Sequence, residues 1–118
     1  MAGFVALCRY GNVKGVRTSV ERGADVNSVD SDGYSGLMRA VRHNHNPVAT
    51  FLLKQPATDV SRKNSWGRTA LHYSVVGNNP AGLSMLLAHP NADPNVRNIM
   101  GFTPLYLSRW VNGRNGQT

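Results

Sequence analysis

Apolar residues recur along this chain at an interval of 34 positions. Leu37, Leu71 and Leu105 keep that interval, and the pair Leu52-Leu53 returns as Leu86-Leu87. Self-similarity with a period between about 20 and 50 residues is typical of stacked supersecondary units, none of which can bury its apolar face alone. The pattern therefore predicts an array of similar units.

Glycine and aspartate recur with the same spacing. The glycines stand at Gly33, Gly67 and Gly101, and the aspartates stand at Asp25, Asp59 and Asp93. Aspartate side chains accept hydrogen bonds from backbone amides in turns. We therefore expect the three aspartates to cap amides where hairpin-like connections begin.

The first unit has no hairpin before it and is predicted to be an N-terminal cap. A first helix is expected over 3–10, ended by Gly11 in the left-handed conformation. Asn12 is expected to cap the second helix. That helix has a modest apolar face formed by Val13, Val16 and Val20.

The internal units are predicted to begin their helices with polar caps. Ser35 is expected to cap a first helix that runs to about His43. Asn46-Pro47 and Asn79-Pro80 each combine a cap with a proline at the first helical position, where a missing N–H costs nothing. The predicted inner-face residues are Leu37, Ala40, Val41, Val48, Phe51, Leu52, Leu83, Leu86 and Leu87.

Two motifs carry a resemblance to a known family. Residues 67–72 read Gly-Arg-Thr-Ala-Leu-His and resemble the Gly-x-Thr-Pro-Leu-His motif of ankyrin repeats, and residues 23–27 read Gly-Ala-Asp-Val-Asn, which matches a second motif of that family. The resemblance covers nearly the whole chain. It implies an all-α fold, an ankyrin-repeat solenoid of stacked helix-turn-helix units joined by short β-hairpin-like loops.

One domain over 1–118 is expected, because four units exceed the roughly three that a stable array needs. The repeats are predicted at approximately 2–29, 30–63, 64–97 and 98–118. After Trp110 no second helix can be drawn, so the chain either ends in a half-repeat or is cut from a longer repeat protein. The fourth unit then has an uncovered apolar edge, which favours self-association. Its residues are Leu105, Leu107, Trp110 and Val111.

Charge and cysteine content indicate the kind of partner and the cellular compartment. The chain has 13 Lys and Arg against six Asp and Glu, a formal net charge of +7, and such a field speeds encounter with an acidic partner. The lone Cys8 excludes an intrachain disulfide, and no glycosylation acceptor, leader or long apolar run is present. We expect an intracellular protein without membrane contact, and the sequence does not distinguish cytoplasm from nucleus.

Candidate chemistry is sparse. Thr69 and His72 match the family's Thr/His pair, whose implied role is structural, with the imidazole hydrogen-bonded to the threonine and nearby backbone. His43 and His45 lack nearby cysteines, whereas structural zinc sites need four ligands. No acid–base pair, Ser/His/Asp triad or phosphate-binding glycine loop can be assembled. The sequence predicts a non-enzymatic protein with no cofactor and no metal site.

The resemblance also implies where a partner would bind. In ankyrin-like arrays the hairpin tips and the exposed side of the first helices form a concave surface. The predicted partner-binding residues on it are Tyr34, Arg39, Arg42, Lys63, Trp66, Arg68, Arg97, Met100 and Phe102. Turn tips are ordinarily polar, whereas aromatic residues and arginine are the types that anchor interfaces. Two alternatives stay open: Trp66 and Phe102 pack one hairpin against the next, or the basic residues form a solvated face.

These features favour a protein–protein interaction module that binds an acidic or amphipathic segment of another protein through the concave surface. The alternative belongs to a different class. A basic surface lined by aromatic residues can stack bases and neutralise phosphates, as proteins that bind single-stranded nucleic acid do. No nucleic-acid fold signature accompanies the charge, which favours the protein partner.

Overall fold

Six helices form in the part of the chain that the structure, a computed structural model, describes: residues 3–93 and 95. They are α1 Phe4–Arg9, α2 Val13–Glu21, α3 Gly36–Arg42, α4 Asn46–Leu53, α5 Ala70–Val76 and α6 Pro80–Leu87. The predictions for Arg97, Met100 and Phe102, and for the apolar edge of the fourth unit, lie outside the described residues.

The helices pack in two rows. The first helices α1, α3 and α5 lie side by side, the second helices α2, α4 and α6 form a parallel row, and each first helix packs on the second helix of its own unit. No strand longer than a single bridge forms between residues 3 and 93, and Val29 and Ser35 make one such antiparallel bridge. The predicted all-α solenoid of helix-turn-helix units is confirmed.

The predicted cap of α3 is present, and the Thr69–His72 pair stands at the start of α5. Ser35 Oγ accepts a hydrogen bond from the Met38 amide at 3.2 Å, and the Ser35 amide faces Met38 Sδ at 3.4 Å. In the next unit the Thr69 amide donates to His72 Nδ1 at 3.0 Å, and Thr69 Oγ1 lies 3.2 Å from the same nitrogen. The structural role of His72 is thus confirmed, and Met38 takes the equivalent position in the preceding unit.

The second helices correct one prediction. Asn79 caps α6 as expected, since its Oδ1 accepts from the Gly82 amide at 2.9 Å. Asn46 does not cap α4, because His45 holds that position and Asn46 is already helical. The Asn46 amide instead exchanges two hydrogen bonds with Asn79, at 2.7 and 3.1 Å. Asn79 is buried, so its side-chain amide needs such partners, and this pairing joins adjacent repeats.

The apolar core runs between the two rows. Its buried members include Val16, Leu37, Val41, Val48, Leu52, Leu71, Tyr73 and Leu86. Leu87, predicted on the inner face, is 48% exposed, while Leu86 is only 1% exposed. Consecutive helical residues point about 100° apart, so when Leu86 faces the core its neighbour turns toward solvent.

Leu71→Ala should lower the free energy of unfolding by about 2–5 kcal/mol, because the substitution leaves a cavity at a position that is 3% exposed. Arg22→Ala, at an exposed site after α2, should change it by less than about 0.5 kcal/mol. Chemical denaturation of both variants measures the difference. Equal losses would show that the repeat register is wrong.

Candidate functional site

Asparagine and aspartate side chains shape the turns between units. Asp25, Asp59 and Asp93 each accept a hydrogen bond from the backbone amide two residues later, at 2.9–3.0 Å. Their predicted role in capping turn amides is confirmed.

In each of the two hairpin tips that the structure describes, backbone amides surround one further polar side chain. Asp30 Oδ1 accepts from the amides two and four residues later, both at 3.0 Å, and Asn64 Oδ1 does the same in the next unit at the same distances. Gly33 and Gly67 within these tips have φ values of 83° and 74°, which glycine adopts without strain. The backbone of each tip is therefore held independently of the side chains that project from it.

The tip of the second unit packs on an arginine of α3 and neutralises it. Arg39 Nε donates to Asp30 Oδ2 at 2.8 Å, and Arg39 Nη2 lies 3.2 Å from Asp32 Oδ2. The Arg39 guanidinium also stacks over the Tyr34 ring, 3.7 Å from its centroid. Arg39 is only 6% exposed. It is therefore not the exposed basic contact that the sequence suggested, because two carboxylates and an aromatic ring enclose it.

The tip of the third unit is held by a tyrosine instead. Asn64 Nδ2 donates to the Tyr73 hydroxyl at 2.6 Å, and the Tyr73 ring lies 4.6 Å from the Tyr34 ring, centroid to centroid. Burial raises the pKa of Tyr73, and the adjacent Tyr34 phenol raises it further, so the Tyr73 phenol stays neutral at physiological pH. The two rings join the second and third units beneath the hairpin tips.

Two arginines flank these rings without an acidic partner. Arg42 donates a hydrogen bond to the Tyr34 hydroxyl, and its guanidinium lies 5.8 Å from the Tyr73 centroid. The Arg68 guanidinium lies at the same distance from that centroid. Arg68 Nε is buried and meets no hydrogen-bond acceptor in the described structure. The only ion pairs among residues 3–93 and 95 belong to Arg39, so both flanking charges are uncompensated there.

Trp66 and Lys63 complete the same side of the molecule. Trp66 is 55% exposed although its backbone is anchored on Asn64. Lys63 is exposed and lines an open groove of about 310 Å³ between the two tips, formed by 29–33 and 62–65. We call Tyr34, Arg42, Lys63, Trp66 and Arg68 together the hairpin surface.

Three residues of this region were not among the sequence-predicted site residues. Asp30, Asn64 and Tyr73 determine how the hairpin surface is built, through the turn bonds and the ring contact described above. The 34-residue period could have identified them, because Asn64 stands one period after Asp30 and Tyr73 stands one period after Arg39.

Burial shifts the pKa of two potentially reactive side chains, Cys8 and His43. Burial raises the pKa of Cys8 to about 12, so its thiol is not ionised near neutral pH. Burial, followed by the charges of nearby arginines led by Arg42, lowers the pKa of His43. Within residues 3–93 and 95, no three or more His, Cys, Asp or Glu side chains lie close enough together to hold a metal ion.

Comparison with protein families agrees with this fold and its hairpins. The family model described as ankyrin repeats (3 copies) matches residues 4–98. The chain belongs to the ankyrin repeat family. Ankyrin repeats are generally protein–protein interaction modules and are generally non-enzymatic. No curated protein matches the sequence. No helix in the described part of this ankyrin repeat protein has the length and apolar character needed to cross a membrane.

Asp30→Asn should destabilise the second unit. It replaces the charged side chain at the tip with the uncharged asparagine that the third unit has at the same position, Asn64. The new amide can still accept the turn hydrogen bonds, but Arg39 loses its closest carboxylate. We expect the free energy of unfolding at neutral pH to fall by about 1–3 kcal/mol. Asp32→Asn is the matched control: the Asp32 side chain is 71% exposed, so its loss should cost less than about 1 kcal/mol. Equal losses in denaturation would contradict this assignment.

The stabilities of wild type and Asp30→Asn should respond differently to acid. Burial alone would raise the pKa of Asp30, but hydrogen bonds from the Tyr34 amide and the Arg39 side chain outweigh it and lower the pKa. A lowered folded-state pKa stabilises the fold above the unfolded-state value of about 3.9, and this contribution is lost as the pH falls through the folded-state value. The stability gap between wild type and Asp30→Asn should therefore narrow below about pH 4. A constant gap on acidification would exclude the carboxylate as its cause.

Proposed function

We propose that this chain binds a segment of another protein through the hairpin surface, and that the segment is acidic or amphipathic. The supporting observation is Trp66, a large aromatic side chain that is 55% exposed at a tip whose backbone is held by Asn64. Folding makes little use of such a side chain, whereas tryptophan and arginine are the residues that most often dominate binding energy. The exposure of Trp66 also argues against the alternative that it packs one hairpin against the next.

The charges of the surface favour an acidic partner. Arg42, Lys63 and Arg68 have no acidic partner in the described structure, and the whole chain carries a formal net charge of +7. Charged residues at the rim of an interface mainly speed association, while those that become desolvated slow dissociation. Lys63 is exposed and belongs to the first kind, and Arg68 is partly enclosed and belongs to the second.

Single-stranded nucleic acid is the second candidate, since a basic, aromatic surface also suits a phosphate backbone. The geometry favours it less. Such proteins stack successive bases on exposed aromatic rings, but Tyr34 and Tyr73 pack against each other and Tyr73 is fully buried. In the described part of the hairpin surface, Trp66 is the one aromatic side chain that is more than half exposed.

The probe is a peptide selected on the wild-type chain from a displayed random library. Trp66→Ala should weaken its binding by about 2 kcal/mol or more and should change the melting temperature little. Tyr10→Ala is the matched control, because Tyr10 is a 72% exposed aromatic residue in the turn between α1 and α2. Titration calorimetry and thermal melts give both quantities. If Trp66→Ala instead lowers stability by several kcal/mol and keeps the affinity, Trp66 is a packing residue and the proposed surface is wrong.

Binding to a single-stranded DNA oligonucleotide should be weak and insensitive to Trp66→Ala. Fluorescence titrations at several salt concentrations test this. A steep linear fall of log affinity with log salt, together with a loss on Trp66→Ala, would favour the nucleic-acid function over the protein partner.

A further inference from the structure

The second and third units contain the same arginine–tyrosine pair with the two residues exchanged. Tyr34 and Arg39 of the second unit correspond, one period of 34 residues later, to Arg68 and Tyr73 of the third. Both units place the guanidinium over the ring, at 3.7 Å from the centroid in the second and 5.8 Å in the third. The exchange moves the arginine from the first helix, where it is buried, to the hairpin tip.

The carboxylates that pair with the arginine of the second unit have no counterparts in the third unit. Asp30 and Asp32 neutralise Arg39, but the residues one period later are Asn64 and Trp66, which carry no charge. Arg68 therefore keeps the aromatic contact of its counterpart without the carboxylates.

No other carboxylate side chain of the chain replaces them. The sequence has six acidic residues, and all six are described. Asp30 and Asp32 pair with Arg39, and Asp25, Asp59 and Asp93 accept turn amides. Glu21 is exposed in the last turn of α2, and none of the six pairs with Arg42 or Arg68. A carboxylate side chain for these two arginines must come from another molecule.

Arg68 also lacks an acceptor at its inner nitrogen. Its Nε is buried and unpaired in the described structure, so a carboxylate of another molecule would meet the terminal nitrogens of the guanidinium and not Nε itself. The planar guanidinium presents its donors in a fork that matches the two oxygens of a carboxylate. The Arg42 guanidinium also lies 5.8 Å from the Tyr73 centroid, so a second positive charge without an acidic partner in the described structure is near the same ring.

We propose that Arg68 and Arg42 form a subsite for an aspartate or glutamate side chain of the partner segment, in the place of the two carboxylates that the third unit lacks. The proposal rests on the proposed function, since the segment is the one that docks on the hairpin surface. Trp66 projects from the same tip as Arg68 and contacts an apolar residue beside the acidic one. The partner segment is then recognised by one apolar residue, which contacts Trp66, and by one required carboxylate beside it.

The test uses peptide probes on the full chain. The Nε–Hε resonance of Arg68 is followed by NMR during titration with an oligoglutamate peptide, an oligoglutamine peptide of the same length, and inorganic phosphate. We expect saturable shifts with oligoglutamate and none with oligoglutamine at the same concentrations. Affinity for oligoglutamate, read from backbone amides of the 64–68 tip, should fall about tenfold or more in Arg68→Gln.

Arg22→Gln is the matched control, because it removes the same charge from an exposed site after α2. An equal loss of affinity for oligoglutamate in Arg22→Gln and Arg68→Gln would overturn the subsite, because net charge alone would then explain the binding. Equal shifts with the two peptides would also overturn it, as would tighter binding of phosphate than of oligoglutamate. Arg42→Gln is the second variant and should also weaken binding, so a folding defect in Arg68→Gln does not prevent the test.

Failure of the subsite and failure of the proposed function give different results. If Trp66→Ala leaves affinity for the library-selected peptide intact while oligoglutamate still shifts Arg68 selectively, the subsite holds and the docking surface is wrong. If Trp66→Ala weakens that peptide but oligoglutamate and oligoglutamine behave alike, the docking surface holds and the subsite is wrong.

Discussion

The packing of α5 against α3 determines where the side chains of the hairpin surface lie. At the end of α5, a Cβ atom on Gly77 would stand 2.2 Å from the carbonyl oxygen of Arg42, so only glycine permits this approach of the two backbones. The Asn44 side chain donates to the Gly77 carbonyl at 2.9 Å, which ties the same two units together. The same two units also bring Tyr34 against Tyr73, with arginines of both units near the Tyr73 ring.

Most of the fold could be predicted from the sequence, because the 34-residue period indicates where its repeated elements lie. The period placed the hairpins and the first helices, and the caps at Ser35 and Asn79 followed from ordinary helix-start preferences. Asn46 was misassigned because sequence alone does not show that Asn79, one unit away, needs its amide. Leu87 was misassigned because two adjacent leucines cannot both face one side of a helix.

The site was less predictable, for a physical reason. Arg39 is neutralised by carboxylates seven and nine residues earlier, across a hairpin whose geometry brings them together. A list of basic residues cannot separate such an arginine from Arg68, which lacks that compensation. The period contained the distinction, in the replacement of Asp30 and Asp32 by Asn64 and Trp66, but its meaning depends on contacts that only the structure provides.

In the third unit, the residue that holds the turn differs from the residues proposed to bind a partner. Asn64 holds the backbone through its turn bonds and the Tyr73 hydroxyl, so Trp66 and Arg68 can differ from their counterparts in the second unit without disturbing the turn. This division lets a repeat array keep one framework while its tips vary in charge and size.

Amide hydrogen exchange of the chain, with and without the library-selected peptide, tests most directly where that peptide docks. We expect slower exchange at amides of residues 64–69 and of the last turn of α3 when the peptide is bound, with exchange in α2, α4 and α6 unchanged. Protection confined to α2, α4 and α6 would contradict it and place recognition on the opposite row of helices.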